Sequence, residues 1–178
     1  MDGRRPPVLP GPPAQIGWYN PPRRLVSGTT VEYQLGVPTN TVVAAELRDQ
    51  YGNVTTSTAT FTIRYTSPGV STYGGVDPTA TIIATAPVGW RNLSSLPLDV
   101  PIPGGAGVSR APVYIWDTIA GGATVQAQAY LAGNPVFASS DQVHLITPGP
   151  AYYMTLHHPY SAAAPLKVTN PGTVVVKR

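Results

Sequence analysis

The side chains that could do chemistry are few, and their spacing argues against catalysis. The chain has three histidines, eight acids and no cysteine. His157 and His158 are adjacent, so on a strand they face opposite sides and one metal ion does not take both simply. His144 stands alone in the alternating run Gln142 to Ile146, and all three histidines read as ordinary surface or edge residues. The absence of cysteine removes thiolate zinc sites, a disulfide framework and a cysteine nucleophile. No Gly-x-Ser-x-Gly elbow and no Gly-x-x-x-x-Gly-Lys-Ser/Thr phosphate loop occurs. The acids never sit side by side, so no carboxylate pair for glycoside hydrolysis is signalled. The expectation is a protein that is not an enzyme, with no cofactor and no metal.

Two other groups of residues carry information. Asp49-Gln50-Tyr51-Gly52-Asn53 is a turn signal. Gly52 and Asn53 tolerate positive φ, and Asp49 can accept backbone hydrogen bonds across a tight connection between strands. A calcium loop on Asp49 and Asn53 would need several more oxygen ligands. The aromatics Tyr73, Trp90, Tyr114, Trp116, Tyr130, Tyr152 and Tyr153 could make a carbohydrate or protein contact surface; Trp90, Tyr114, Trp116, Tyr152 and Tyr153 are the leading candidates, with Trp116, next to an inward Ile115, the best exposed one. The competing reading places Trp90 with Leu93, Leu96 and Leu98 as a seal over one end of the core. Asn53-Val54-Thr55 and Asn92-Leu93-Ser94 fit a glycosylation sequon, which matters only in a secreted chain.

These residues must be positioned by strands. The 178 residues include 21 prolines and 18 glycines, which excludes a helical bundle because each breaks helices. Hydrophobic content of 42% with 11% charged residues is too apolar for a disordered chain. No apolar run approaches the ~20 residues of a membrane-spanning helix, so no membrane insertion is expected. Alternation marks strands at Gln15–Tyr19, Thr29–Val37, Thr41–Arg48, Ala59–Tyr65, Thr79–Ala84, Ala111–Trp116, Ala123–Leu131, Val136–Ala138 and Gln142–Ile146. Many short strands at near-regular spacing indicate an all-β, antiparallel sandwich of immunoglobulin (Ig)-like type. It would carry an extended proline-rich N-terminal arm, 1–14, and a C-terminal strand and tail. Residues 15–147 form the sandwich in this reading, with a long middle loop at 66–107.

The net charge of +3 is unevenly placed. Arg4, Arg5, Arg23 and Arg24 lie in the N-terminal region, and Lys167, Lys177 and Arg178 at the end, while the body between holds most of the acids. Nucleic-acid binding wants a basic stripe with aromatics on a folded face. None is visible, so no nucleic acid is expected. Basic tails and an acidic body suit attraction between neighbouring copies. Met1 to Pro7 runs into proline without the apolar stretch of roughly 7–15 residues that a secretory leader needs, which suggests synthesis in the cytosol without general export.

The two ends of the chain hold the same element. Pro10-Gly11-Pro12 matches Pro148-Gly149-Pro150 at a spacing of 138 residues, and the same spacing pairs Ile16 with Met154, Trp18 with Leu156 and Pro21 with Pro159. Each reads as a linker, an alternating strand and a proline turn. Residues 148–178 are too few for a second sandwich, so they read as an incomplete repeat or as exchanged strands. Thr173, Val174, Val175 and Val176 are the candidates for exchange with a neighbour; the alternative folds the tail back on its own sandwich edge.

Val42 to Asn53, with its strand and Asp-x-Tyr-Gly-Asn turn, resembles bacterial Ig-like domains of the invasin/intimin (Big) type. Gly105 to Trp116, followed by Ala120-Gly121-Gly122-Ala123-Thr124-Val125-Gln126-Ala127, is similar to the second half of such domains, and Pro148 to Ala151 to the linker that opens the next repeat. The resemblance covers roughly residues 12–147, with an unusually long middle. It implies an Ig-like sandwich serving as a spacer, adhesive or decoration module, without catalytic residues. The expected function is therefore a structural or assembly protein, foremost a bacteriophage virion component such as a capsid decoration, tail or fibre protein. An exported surface adhesin repeat, or a filament subunit polymerising by strand exchange, is the alternative, and a carbohydrate-binding module a weaker one. Partners would be copies of itself, other structural subunits or host-surface glycans. The location would be the virion or, alternatively, the cell surface.

Overall fold

Alternation of apolar and polar residues is obeyed closely along the chain, and this sets which side chains enter the core. In Phe61–Thr66 every second residue is buried, and in Gly121–Leu131 Ala123, Val125, Ala127 and Ala129 point inward. The computed structural model describes residues 9–28, 42–69, 72–76, 90–149, 153–156 and 166–169. The chain divides into two compact units, Met1–Thr147 and Pro148–Arg178. The described residues contain strands and no helix.

The first unit holds eleven of the strands: β1 (Gln15–Trp18), β2 (Arg24–Val26), β3 (Val42–Arg48), β4 (Phe61–Thr66), β5 (Tyr73–Gly75), β6 (Arg91–Asn92), β7 (Leu98–Ile102), β8 (Arg110–Trp116), β9 (Gly121–Leu131), β10 (Asn134–Ala138) and β11 (Gln142–Thr147). One sheet has the order β1-β3-β8-β5-β6, and the other β2-β11-β9-β4-β7, with β10 also paired to β9. The two inner faces meet in one core that includes Leu25, Val43, Leu47, Ile63, Val113 and Val125. The N-terminal segment switches sheets: β1 pairs antiparallel with β3, whereas β2 pairs parallel with β11. This is an Ig-like β-sandwich. The seam of β2 with β11 is its one parallel pairing among the described residues, and the other pairings are antiparallel as expected.

β10 and β11 share one long partner. β10 runs along the end of β9 and β11 along its beginning. Ser139 bridges the interruption, its N–H donating to the Ala127 carbonyl and its Oγ accepting from the Ala127 N–H. β9 turns into β10 through Ala132 and Gly133, both at positive φ (49° and 82°), the conformation that a tight two-residue hairpin requires.

The middle region departs from expectation. Residues 66–107, read from sequence as a loop, contain β5, β6 and β7. β7 was obscured by Pro97, Pro101 and Pro103, which read as strand breakers. It sits at a sheet edge, where a missing N–H disrupts nothing. Its Leu98, Val100 and Ile102 all enter the core. The expected strands 29–37 and 79–84 lie outside the described residues.

Tyr65 joins the sheets through the core. It is fully buried on β4, and its hydroxyl accepts from the Ala45 N–H and donates to the Ala111 carbonyl. Ala45 and Ala111 are opposite each other on β3 and β8 of the facing sheet. Only small side chains there admit the ring tip to the backbone. Burial pushes the phenol pKa well up, so it stays a neutral donor.

The second unit holds β12 (Tyr153–Leu156) and β13 (Leu166–Thr169), an antiparallel pair.

Candidate functional site

Three places in the first unit bring together side chains with more than packing to do. The first is the turn after β3. Asp49 is buried at 1% exposure and acts as a hub. Its Oδ1 accepts the N–H groups of Tyr51 and Asn53 at 2.9 Å, and its Oδ2 accepts the Asn53 Nδ2 at 3.0 Å and the Gly11 N–H at 3.1 Å. The Asn53 amide, with the backbone donors of Gly11, Asn53 and Tyr51, holds the carboxyl down at about 2 against the opposing effect of burial. Gly52 takes the positive φ (86°) that closes the turn. Thr55 Oγ1 donates to the Gly11 carbonyl at 2.7 Å, Gln15 Nε2 donates to the Asp49 carbonyl, and the Ala14 N–H donates to the Arg48 carbonyl. The turn expected from Asp49, Gly52 and Asn53 is therefore present, and it also clamps the proline-rich segment that precedes β1. An open groove beside the clamp, lined by Leu9, Pro12, Pro13, Val54, Thr56 and Thr58, has no titratable group in its walls.

The second place is the outward face of the β1-β3-β8-β5 sheet. On β8 the inward positions are Ala111, Val113 and Ile115, so Arg110, Pro112, Tyr114 and Trp116 face away from the core. Tyr73 of β5 lies opposite Trp116 with ring centroids 5.0 Å apart, edge to face, and Gly75 lies opposite Tyr114. Trp90 covers Gly75 so closely that an added Cβ would come within 2.8 Å of its ring. Three of the five leading contact candidates, Trp90, Tyr114 and Trp116, are thus gathered on one face together with Tyr73, also named from the sequence. Trp116 and Trp90 are half-buried and Tyr114 is buried to 9% exposure. Tyr152 lies outside the described residues, and Tyr153 falls in β12 of the second unit.

Two expectations are corrected at this end of the sandwich. Trp90 does not seal the core from inside. Leu93 and Leu98 do, while Leu96 is exposed. Leu93 packs under Gly74, where a Cβ would meet its side chain at 2.8 Å.

Further along the same outward face the chemistry becomes ionic. Glu46, with its side chain 4% exposed, receives Arg48 at 2.8 Å on Oε1 and Arg110 at 3.1 Å on Oε2. The Arg110 guanidinium also lies 3.6 Å from the centre of the Tyr19 ring, a cation–π contact. Arg48 reaches over Gly17 to the Trp18 carbonyl at 3.0 Å. A buried carboxylate held by two guanidiniums is structurally satisfied, and this set fixes β1 on β3.

The third place is His144. Expected as a surface or edge residue, it is fully buried on β11, an interior strand between β2 and β9. Its Nδ1 accepts the Arg23 N–H at 3.0 Å, so the neutral ring carries its proton on Nε2. That Nε2 has no hydrogen-bond partner among the described residues. Burial first, and the Arg23 charge second, push the imidazole down to about 4. Nothing in the sequence flagged this residue except its inward register with Gln142 and Ile146.

Thr173, Val174, Val175 and Val176 lie outside the described residues. Among the described residues, no group of three or more histidines and acids is placed to hold a metal ion. No helix there is long and apolar enough to cross a membrane. A scan against models of protein families finds no match to the chain, and a search of curated proteins finds none either.

Proposed function

We propose that this chain is a non-enzymatic structural module of the bacterial Ig-like kind, built to be joined in series and to pack against neighbouring subunits. One observation carries the reading. The leading element of the sandwich, Pro10-Gly11-Pro12 followed by β1 at Gln15–Trp18, recurs as Pro148-Gly149-Pro150 followed by β12 at Tyr153–Leu156, at the same spacing of 138 residues (10 to 148, 15 to 153). In the first unit this element is bolted to the body at both polar groups of Gly11. A linker fixed to its domain transmits orientation and load, which a spacer or decoration module needs and a catalyst does not. The setting we propose is a bacteriophage particle, as a capsid decoration, tail or fibre component, with copies of itself or other structural subunits as partners.

The test is imaging of native particles labelled with gold-conjugated antibody against residues 15–147. Regular label on capsid, tail or fibre supports the proposal. Label confined to a cell wall replaces the virion with an exported adhesin or filament.

A second reading rests on the convergence of the half-buried Tyr73, Trp90 and Trp116 around the buried Tyr114. Aromatic faces stack on sugar rings, so this face would contact host-surface glycans. A glycan array probed with the full chain and with Trp90→Ala tests it: signals that vanish in the variant support the contact, and a flat array removes it.

A further inference from the structure

We infer that His144 is a proton-operated latch that holds β2 on β11 at neutral pH and releases it in mild acid. This goes beyond the structural role proposed above and does not depend on it.

The latch follows from how β2 is held. Its three residues pair with Leu145, Ile146 and Thr147. Arg23, just before β2, is gripped on both backbone groups by β11: the Leu145 N–H donates to its carbonyl at 2.9 Å, and its own N–H donates to His144 Nδ1 at 3.0 Å. The seam ends at Ser27, whose N–H donates to the Thr147 carbonyl at 2.8 Å. A lone pair on Nδ1 is needed for the grip. A proton there sets an N–H donor against the Arg23 N–H donor, in a site with 0% exposure for His144.

Among the described residues the surroundings offer the imidazolium no counter-charge. Ala123 faces it from β9, and Gln142 and Ile146 flank it on β11. From the other sheet the inward residues are Ile16, Val43, Ala45 and Leu47, and from β4 Tyr65, kept neutral by burial. Arg23 is the charged group that acts on it, and it repels a cation. The proton is therefore accepted when the ring is freed, which occurs when Arg23 and β2 leave β11. Leu25, fully buried, keeps that release a minority event. Release bares one edge of β11, with unpaired N–H and C=O groups able to accept another strand.

If the freed ring titrates near its ordinary 6.5 and the held ring near 4, the equilibrium for opening rises about 20-fold between pH 7 and pH 5. Hydrogen exchange on the full chain, read by NMR as protection factors, measures this. The expected result is a fall of about that size at the Arg23, Leu145 and Ser27 amides, whose protection stays well below that of the β4 amides at both pH values, and an imidazole titration of His144 well below 6. His144→Asn retains an acceptor where Nδ1 sits and does not titrate, so its seam protection is expected to be flat from pH 7 to pH 5. A His144 titration near 6.5 in the folded chain would overturn the latch. So would seam protection equal to that of the β4 amides at both pH values, which means that the seam opens only by global unfolding. If His144→Asn does not fold, the wild-type comparison of seam and β4 amides still decides.

Discussion

The N-terminal segment, residues 9–28, is fastened to the sandwich at two points by opposite chemistry. At Gly11 the fastener is Asp49, a buried carboxylate whose two oxygens accept four donors. At Arg23 it is His144, a buried neutral ring with one nitrogen bonded and the other without a partner among the described residues. Both groups are out of water, yet one is kept charged and the other uncharged. A carboxylate can be buried cheaply if backbone and amide donors replace its hydration, whereas among the described residues an imidazolium at the second site would meet a backbone donor and a guanidinium and no acid. The difference also fixes where each fastening fails. Asp49 has its pKa lowered, so its stabilisation is complete above the ordinary 3.8 and is lost as pH falls from there toward about 2. His144 also has its pKa lowered, but as a base. Its stabilisation is complete above the ordinary 6.5 and is lost as pH falls toward about 4.

The largest expected effect breaks the first fastening. Asp49→Ala leaves the Gly11, Tyr51 and Asn53 N–H groups without their acceptor, and thermal unfolding at pH 7 should fall by roughly 10 °C. Exchange should quicken at Gly11 while the seam at Ser27 stays protected. Equal loss at both would mean the two fastenings are one cooperative unit. Next in size is acid. Urea unfolding of the wild type should show about 2 kcal/mol less stability at pH 5 than at pH 7, from His144 alone. His144→Asn should remove most of that step, and Asp49→Ala should leave it intact. A wild type equally stable at both pH values would contradict a buried neutral ring. Smaller still is Trp18→Phe. Trp18 lies between the fastenings and donates from Nε1 to the Ser140 carbonyl at 2.7 Å. Its loss should cost about 1 kcal/mol in urea unfolding and weaken neither fastening more than the other.

Much of this frame was legible in the sequence. The inward set Val43, Ala45 and Leu47, the set Phe61, Ile63 and Tyr65, and the alternation through Ala123 to Leu131 all occupy the core as the period of two requires. The turn at Asp49 was legible because glycine and asparagine mark it locally. What escaped detection depends on contacts distant in sequence. β7 was hidden because proline breaks an interior strand but not an edge strand, and edge position is a property of the sheet. The burial of His144 was hidden because β2 has three residues, too short for periodicity to register, and it is β2 that covers β11. The reach of the Tyr65 hydroxyl to the Ala111 carbonyl, 46 residues away, needs the facing sheet in place. The aromatic face of Tyr73, Trp90, Tyr114 and Trp116 required the register of β5 on β8.

The smallest expected effect tests what the glycine of the linker is for. Gly11 is held at its N–H by Asp49 and at its carbonyl by Thr55, both backbone groups that any residue but proline supplies. It is not among the glycines at positive φ. A Cβ placed on it would lie 3.6 Å from the Asp49 Cβ, ordinary van der Waals contact. Neither backbone conformation nor space therefore demands glycine at this point of the clamp. Gly11→Ala should leave urea unfolding within about 0.5 kcal/mol of wild type, or raise it slightly by restricting the unfolded chain. A loss as large as that of Asp49→Ala would show that the clamp closes only around a backbone free of a side chain. The recurrence of glycine at Gly149 would then reflect the same demand rather than the shared layout of two linkers.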